Sequence, residues 1–284
     1  ITNPATSTDT KYSGVNPTDV SVTNIDNDTA GYTVNPTSGL QTTETGGITT
    51  FTIRLNTRPT ANVTISITSS NTNEGTVIPT SVTFTPATWS NPQTITITGV
   101  DDDIDDDNVA YTIITGAATS SDTKYSGLNP ADVSVTNIDN DTAGFTVNPT
   151  SGLQTTEAGG TATFTVKLNS KPTANVTITL ASINPAEGTV NPTSLTFTSG
   201  NWNSLQTATI TGVDDDVDDD NVTYTITTGT ATSTDAKYNG LNPPDVSATN
   251  IDNDDAGVAV SPYEGLYTTE AGGTATFTMK LTRK

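Results

Sequence analysis

Apolar and polar residues alternate along most of the chain. Phe51, Ile53 and Leu55 are separated by Thr52 and Arg54, and Val63, Ile65 and Ile67 by Thr64 and Ser66. Val82 and Phe84 bracket Thr83, Ile95 and Ile97 bracket Thr96, and Val109, Tyr111 and Ile113 continue the pattern to Val133 and Val135. A period of two places one set of side chains inward and leaves threonine on the other face, as in a half-buried strand. Turn residues punctuate these runs at Asn35-Pro36, Ser38-Gly39, Gly46-Gly47, Arg58-Pro59, Glu74-Gly75, Asn91-Pro92 and Asn129-Pro130. No stretch shows helical spacing with caps. The pattern predicts an all-β chain of antiparallel Ig-like β-sandwiches, with about seven short strands in each. Trp89 and Tyr111 are expected as core side chains.

The pattern repeats. IDNDTAGYTVNPTSGLQTTETGG from Ile25 returns as IDNDTAGFTVNPTSGLQTTEAGG from Ile138 and as IDNDDAGVAVSPYEGLYTTEAGG from Ile251, and these isoleucines are 113 residues apart. Gly99 and Gly212 open matching segments at the same spacing, and Trp89 and Trp202 keep it too. This period is too long for a solenoid turn and suits one complete sandwich of about 100 residues. Residues 29–141 and 142–254 therefore read as two complete repeats, beads on a string. Residues 1–28 read as closing strands of a truncated repeat and 255–284 as opening strands of another. On that reading the chain is a window of a longer array, its true start lying elsewhere than Ile1.

Composition narrows the function. Ten basic residues face 31 acidic ones for a formal charge of −21, with no histidine and no cysteine. That excludes disulfides, thiolate chemistry, zinc sites of the usual ligands and histidine-based catalytic triads. Nucleic acid is excluded as a partner because phosphate neutralisation needs clustered Lys and Arg. No run approaches the ~18 apolar residues of a membrane span, so no membrane insertion is expected.

The acids are clustered. Asp101, Asp102, Asp103, Asp105, Asp106 and Asp107 crowd one loop after an apolar strand, and Asp139-Asn140-Asp141 follows another. Two like charges ~5 Å apart repel by about 0.8 kcal/mol in water and about 3 kcal/mol at an effective dielectric of 20. A hard divalent cation relieves this, and flexible oxygen-rich loops suit Ca²⁺ better than Mg²⁺. Neither cluster is an EF-hand: counted from Asp26, the fifth position is Ala30 and the twelfth Thr37, and counted from Asp101 the sixth is Asp106. Solvated surface charge is the bland alternative, but it would not place the same run beside the same strand end twice.

In the order of these features the chain resembles the Calx-β domain, a calcium-binding sandwich of sodium–calcium exchangers and of large bacterial surface proteins. The family's Glu-Gly-type turn, Asp-rich run and closing Asp triplet correspond to Glu44-Thr45-Gly46-Gly47, Asp101 to Asp107 and Asp139-Asn140-Asp141. In the second repeat they correspond to Glu157-Ala158-Gly159-Gly160, to Asp214, Asp215, Asp216, Asp218, Asp219 and Asp220, and to Asp252-Asn253-Asp254. The resemblance implies that Glu44 and Glu157 are ligands alongside both Asp clusters. The IDND element also looks like the inter-domain calcium linker of cadherins. One departure is that the family's mid-domain ligating Asp is replaced by Asn71 and Asn184, with Glu74 and Glu187 as nearby substitutes.

Catalysis is not expected. Paired carboxylates run glycoside hydrolysis, but these acids are adjacent in sequence, duplicated, and without an apolar pocket to raise one pKa. The expected function is a calcium-stiffened structural segment of a long extracellular protein, a bacterial adhesin, surface-layer or matrix fibre. Its expected partners are neighbouring repeats of the same chain and identical chains in a fibre. The alternative is a calcium-dependent adhesive module binding carbohydrate or another surface ligand directly.

Overall fold

The computed structural model describes residues 1–282. Strands β1 (Tyr32–Asn35), β2 (Leu40–Thr43), β3 (Ile48–Leu55), β4 (Val63–Ser69) and β5 (Gly75–Ile78) open the first sandwich. It continues with β6 (Ser81–Phe84), β7 (Gln93–Gly99), β8 (Val109–Thr115), the two-residue β9 (Thr119–Ser120) and β10 (Val133–Ile138). One sheet has the order β1-β3-β7-β5; the other is β2-β10-β8-β4-β6, with β9 also on β4. The second sandwich repeats the plan with β11 (Phe145–Asn148), β12 (Leu153–Thr156), β13 (Thr161–Leu168), β14 (Val176–Ser182) and β15 (Gly188–Asn191). It is completed by β16 (Ser194–Phe197), β17 (Gln206–Gly212), β18 (Val222–Thr228) and β19 (Val246–Ile251). Its sheets run β11-β13-β17-β15 and β12-β19-β18-β14-β16. No helix occurs among the described residues.

The alternation works as expected. Phe51, Ile53 and Leu55 of β3 face Ile95 and Ile97 of β7 and the inner residues of the opposite sheet, and all are buried. Each such side chain contributes roughly 1.5–3 kcal/mol by leaving water. The outer threonines pair across strands: Thr64 and Thr83 share a hydrogen bond of 2.9 Å, and Thr177 and Thr196 one of 3.0 Å. Tyr111 is buried in the core, while Trp89 and Trp202 are half-buried against its edge.

Three differences from the sequence reading stand out. The sandwiches hold ten and nine strands, more than seven, because short turns split runs that look continuous in sequence. Residues 36–39 carry the chain from one sheet to the other, so β1 pairs with β3 while β2 joins β10. That crossing also makes one pair per sandwich parallel, β2 with β10 and β12 with β19, within otherwise antiparallel sheets. Finally, residues 1–28 hold turns but no strand. Val20 and Val22 match the inward Val133 and Val135 of β10, but among the described residues nothing lies beside them to pair with, and they are 72% and 85% exposed. At the other end, β20 (Val258–Ser261) and β21 (Thr278–Leu281) form an exposed antiparallel pair. Residues 283 and 284 of the expected opening strands lie outside the described residues.

Candidate metal centres

The parallel pairing of β2 with β10 brings Glu44 and the Asp139-Asn140-Asp141 triplet to one end of the sandwich. Glu44 follows β2 directly and donates its N–H to the Ile138 carbonyl at 3.2 Å, extending the pairing by one bond. The chain then turns back: the Thr43 carbonyl accepts the N–H groups of Gly46 and Gly47, each at 3.0 Å. Gly46 takes φ +82°, left-handed backbone that a side chain would strain. Gly99 closes β7 under the same turn, where a Cβ would collide with the Thr43 carbonyl. These glycines let the turn press against the sheet end, and Glu44 is 2% exposed as a result.

Below Glu44 the interior is polar but satisfied. Thr42 donates its hydroxyl to Asn137 Oδ1 at 2.8 Å and shares a hydrogen bond of 3.2 Å with the Tyr111 hydroxyl. Asn137 Nδ2 donates to the Val100 carbonyl at 3.0 Å and to Glu74 Oε2 at 3.3 Å. Each buried polar group therefore finds a partner, as a dry interior requires. Thr155, Asn250, Tyr224 and Glu187 repeat this network in the second sandwich.

Above it, carboxylate oxygens of Glu44, Asp139 and Asp141 lie within 4.8 Å of one another, and those of Glu157, Asp252 and Asp254 do the same. Backbone bonds hold the group. Asn140 N–H donates to Glu44 Oε2 at 3.1 Å and Asp141 N–H to Asp139 Oδ1 at 2.7 Å. Asp107 N–H donates to Asp139 Oδ2 at 2.9 Å, which its φ of 64° allows. Aspartate tolerates that left-handed position better than most residues. Asp139 N–H in turn donates to Asn108 Oδ1 at 3.0 Å.

The electrostatics record the crowding. Burial, followed by the charges of Asp139, Asp102 and Asp106, pushes Glu44 up to about 7, against the opposing bond from Asn140 N–H. Burial and the charges of Glu74, Asp102 and Asp139 push Asp106 up to about 6. Asp141 is raised by burial and by Asp139, Asp103, Asp101 and Asp102, and Glu157 by burial and by Asp252 and Asp215. Asp252 is lowered, first by the Asp254 N–H bond. The donors are all hard oxygens at one strand end, the chemistry of a Ca²⁺ or Mg²⁺ site rather than a zinc or copper site.

The remaining candidates divide into two groups. Asp101 Oδ1 accepts from Asn140 Nδ2 at 3.0 Å, and Asp102 and Asp106 act on Glu44, so these three face the cluster of their own sandwich. Asn140 serves there as a donor, through its backbone and its amide. Asp105 and Asp107 turn outward, and each lies 2.7 Å from Nζ of Lys237 in the second sandwich. Asp103 offers its carbonyl to the Lys171 N–H at 2.6 Å. In the second run, Asp214 accepts from Asn253 Nδ2 at 3.3 Å, Asp220 N–H donates to Asp252 Oδ2 at 3.0 Å, and Asp218 Oδ2 accepts from Ala256 N–H at 2.8 Å. Asn253 N–H donates to Glu157 Oε2 at 3.0 Å. Asp215, Asp216 and Asp219 are exposed.

The sequence reading missed Lys237 and the buried Asn137 and Asn250. A signal for the lysine was present, since Lys11, Lys124 and Lys237 recur at the 113-residue period, each two residues after an aspartate. Glu74, weighed only as a substitute for the mid-domain ligand, is 5% exposed and adjoins the cluster through Asn137 and Asp106.

No family model matches the chain, and no curated protein matches it. Among solved structures it is similar to CBD12 from CALX1.2, with 14% identity over 78% of this chain and 99% of that one, at a TM-score of 0.35. The S-layer protein SbsC, domains 4 and 5, matches at 16% identity over 66% of this chain and 77% of that one, TM-score 0.28. The periplasmic chaperone SfaE matches at 10% identity over 77% and 99%, TM-score 0.31. The all-β sandwich assignment rests on the chain's own sheets and cores. Among the described residues no helix is long and apolar enough to cross a membrane.

Proposed function

We propose that the chain is a calcium-stiffened structural segment of a long extracellular protein of the surface-layer, adhesin or fibre kind. Residues 29–141 and 142–254 are its two complete repeats. The observation that carries the reading is the twice-built convergence of Glu44, Asp139 and Asp141, and of Glu157, Asp252 and Asp254, where each sandwich runs into the segment that follows. Packing several carboxylates together at a buried strand end is costly unless a cation shares their charge. The raised Glu44 and Asp106 express that cost.

When bound, calcium would supply charge neutralisation and rigidity. Glu44, Asp139 and Asp141 would hold it, with Asp102 and Asp106 adjoining. Because Asp139, Asn140 and Asp141 lie only a few residues before Phe145 of β11, ordering them also restricts the linker. The bending freedom that the contacts between the sandwiches leave at the junction is thereby reduced further, and the pair becomes a stiffer rod. Calorimetric titration of calcium into chelator-treated protein tests this. Saturable binding with the same stoichiometry in both sandwiches is expected, and no measurable binding at millimolar calcium would overturn it.

A further inference from the structure

The end of the second sandwich that faces the first is built around Asp235. That side chain is 6% exposed, and its two oxygens accept the N–H of Lys237 at 2.9 Å and of Thr173 at 2.8 Å. Next to it, the buried Tyr238 hydroxyl donates to the Ser170 carbonyl at 2.6 Å and accepts the Ser170 N–H at 3.0 Å. Residues 170–173 and Lys237 thus form one rigid platform, fixed by two buried side chains. The Asp-rich loop of the first sandwich sits on it. Lys237 Nζ reaches Asp105 Oδ1 and Asp107 Oδ1, each at 2.7 Å, and Lys171 N–H reaches the Asp103 carbonyl at 2.6 Å. From the linker, Ala143 N–H donates to Asp105 Oδ2 at 2.8 Å. The carboxylates of Asp105 and Asp107 face the next sandwich, Asp103 meets it through its backbone carbonyl, and Asp101, Asp102 and Asp106 face their own.

We propose that this platform is a docking socket for the Asp-rich loop of an adjoining copy of the same repeat, and that Lys237 clamps the two sandwiches together without a metal ion. The first sandwich carries the same parts. Asp122 holds the N–H groups of Thr60 and Lys124 at 2.7 and 2.9 Å, and the Tyr125 hydroxyl donates to the Thr57 carbonyl at 2.7 Å. There the platform opens as a cavity of about 300 Å³ whose charged lining is Arg58, Lys124 and Asp122 together with Asp26 and Asp28 of the preceding linker, the counterparts of Asp139 and Asp141. Its partner chemistry is the same: a loop presenting carboxylates at alternate positions. The clamp divides the work at the junction. Inner acids converge on the candidate metal centre, and outer acids fix the neighbouring sandwich.

The test uses the intact chain, which has no cysteine and so takes unique spin labels. Labels at Thr50→Cys and Thr163→Cys, on the exposed faces of β3 and β13, report the distance between sandwiches by electron–electron resonance in excess chelator. A single narrow distance peak is expected, lost in Lys237→Gln and retained in Lys124→Gln, which makes the same chemical change at the far end. Asp105→Asn with Asp107→Asn should reproduce the loss, and adding Lys237→Gln to that pair should change nothing further. A broad distribution in the unsubstituted chain would overturn the clamp. So would an unchanged peak in Lys237→Gln, or a loss that the aspartate pair does not reproduce. Because calcium is absent throughout, failure of the calcium reading would leave this result intact.

Discussion

The two Asp-rich loops have nearly the same sequence and different surroundings. In the first sandwich, Asp102 and Asp105 are half-buried and Asp105 is paired to Lys237. In the second, Asp215 and Asp218 are exposed, and Val217, the counterpart of the half-buried Ile104, is 38% exposed. The inner clusters do not share this difference. Asn140 to Glu44 and Asn253 to Glu157 span 3.1 and 3.0 Å, and Asp107 to Asp139 and Asp220 to Asp252 span 2.9 and 3.0 Å. Each candidate metal centre is therefore built by its own sandwich, whereas the outer half of the loop takes its environment from the neighbour.

The largest effect that could break this symmetry is calcium itself. Binding to the native state alone stabilises by about 2.7 kcal/mol at a hundred times the dissociation constant. For a sandwich of this size that is a shift of roughly 10 °C or more. Calorimetry in calcium against chelator should show both sandwiches shifting, and a shift confined to one would mean that the clusters are not equivalent.

Glu44→Gln and Glu157→Gln sharpen the comparison next. Each removes a charged oxygen from one cluster, so each should weaken binding in its own sandwich at least about tenfold, or about 1.4 kcal/mol. Lys167→Gln in β13 should leave binding unchanged. Unequal losses in the two glutamate variants would show that the neighbouring sandwich contributes to one centre.

pH separates the metal-free state further. Glu44 at about 7 and Asp106 at about 6 sit above their ordinary values of 4.5 and 3.8, so the folded state binds protons more tightly than the unfolded one. Their favourable contribution is complete below about pH 4 and is lost as pH rises through the folded values. In chelator, melting should therefore fall between pH 5 and pH 8, and calcium should reverse the trend by taking the place of the protons. A melting temperature that rises with pH in chelator would contradict the crowding.

The smallest effect is local. Burial pushes Asp105 up, but the bonds from Lys237 and Ala143 N–H outweigh it and hold the carboxyl below the ordinary range. Asp105→Asn should lower stability in chelator by no more than about 1 kcal/mol, because partly exposed ion pairs contribute little. Asp218→Asn, at the matching exposed position, should leave the thermal transition unchanged within error.

Much of this was legible in the residues. Alternation of Phe51, Ile53 and Leu55 is a local property, since side-chain direction in a strand depends only on position parity. The repeat period needs no structure at all. The Asp139-Asn140-Asp141 element and the Asp run could be found as clustered charge repeated at the same strand ends, and Glu44 only through the resemblance to the Calx-β domain. The turns at Asn35-Pro36 and Ser38-Gly39 could be read, but not that the chain changes sheet between them, because a turn's residues do not say which strand each flank pairs with.

What the sequence determined by itself was therefore what neighbouring residues enforce on one another: strand period, turns, repeat length and the candidate oxygen donors. Tertiary structure decided which donors meet. Glu44 and Asp139 are distant in sequence, and they converge because β2 crosses to the second sheet and runs parallel to β10. Likewise Asp105 and Asp107 belong to the same loop as Asp106, yet they face Lys237, 130 residues beyond Asp107. A run of like charges has no internal preference for which side each member faces. The partners on either side, a buried glutamate below and a lysine on the next sandwich above, supply that preference.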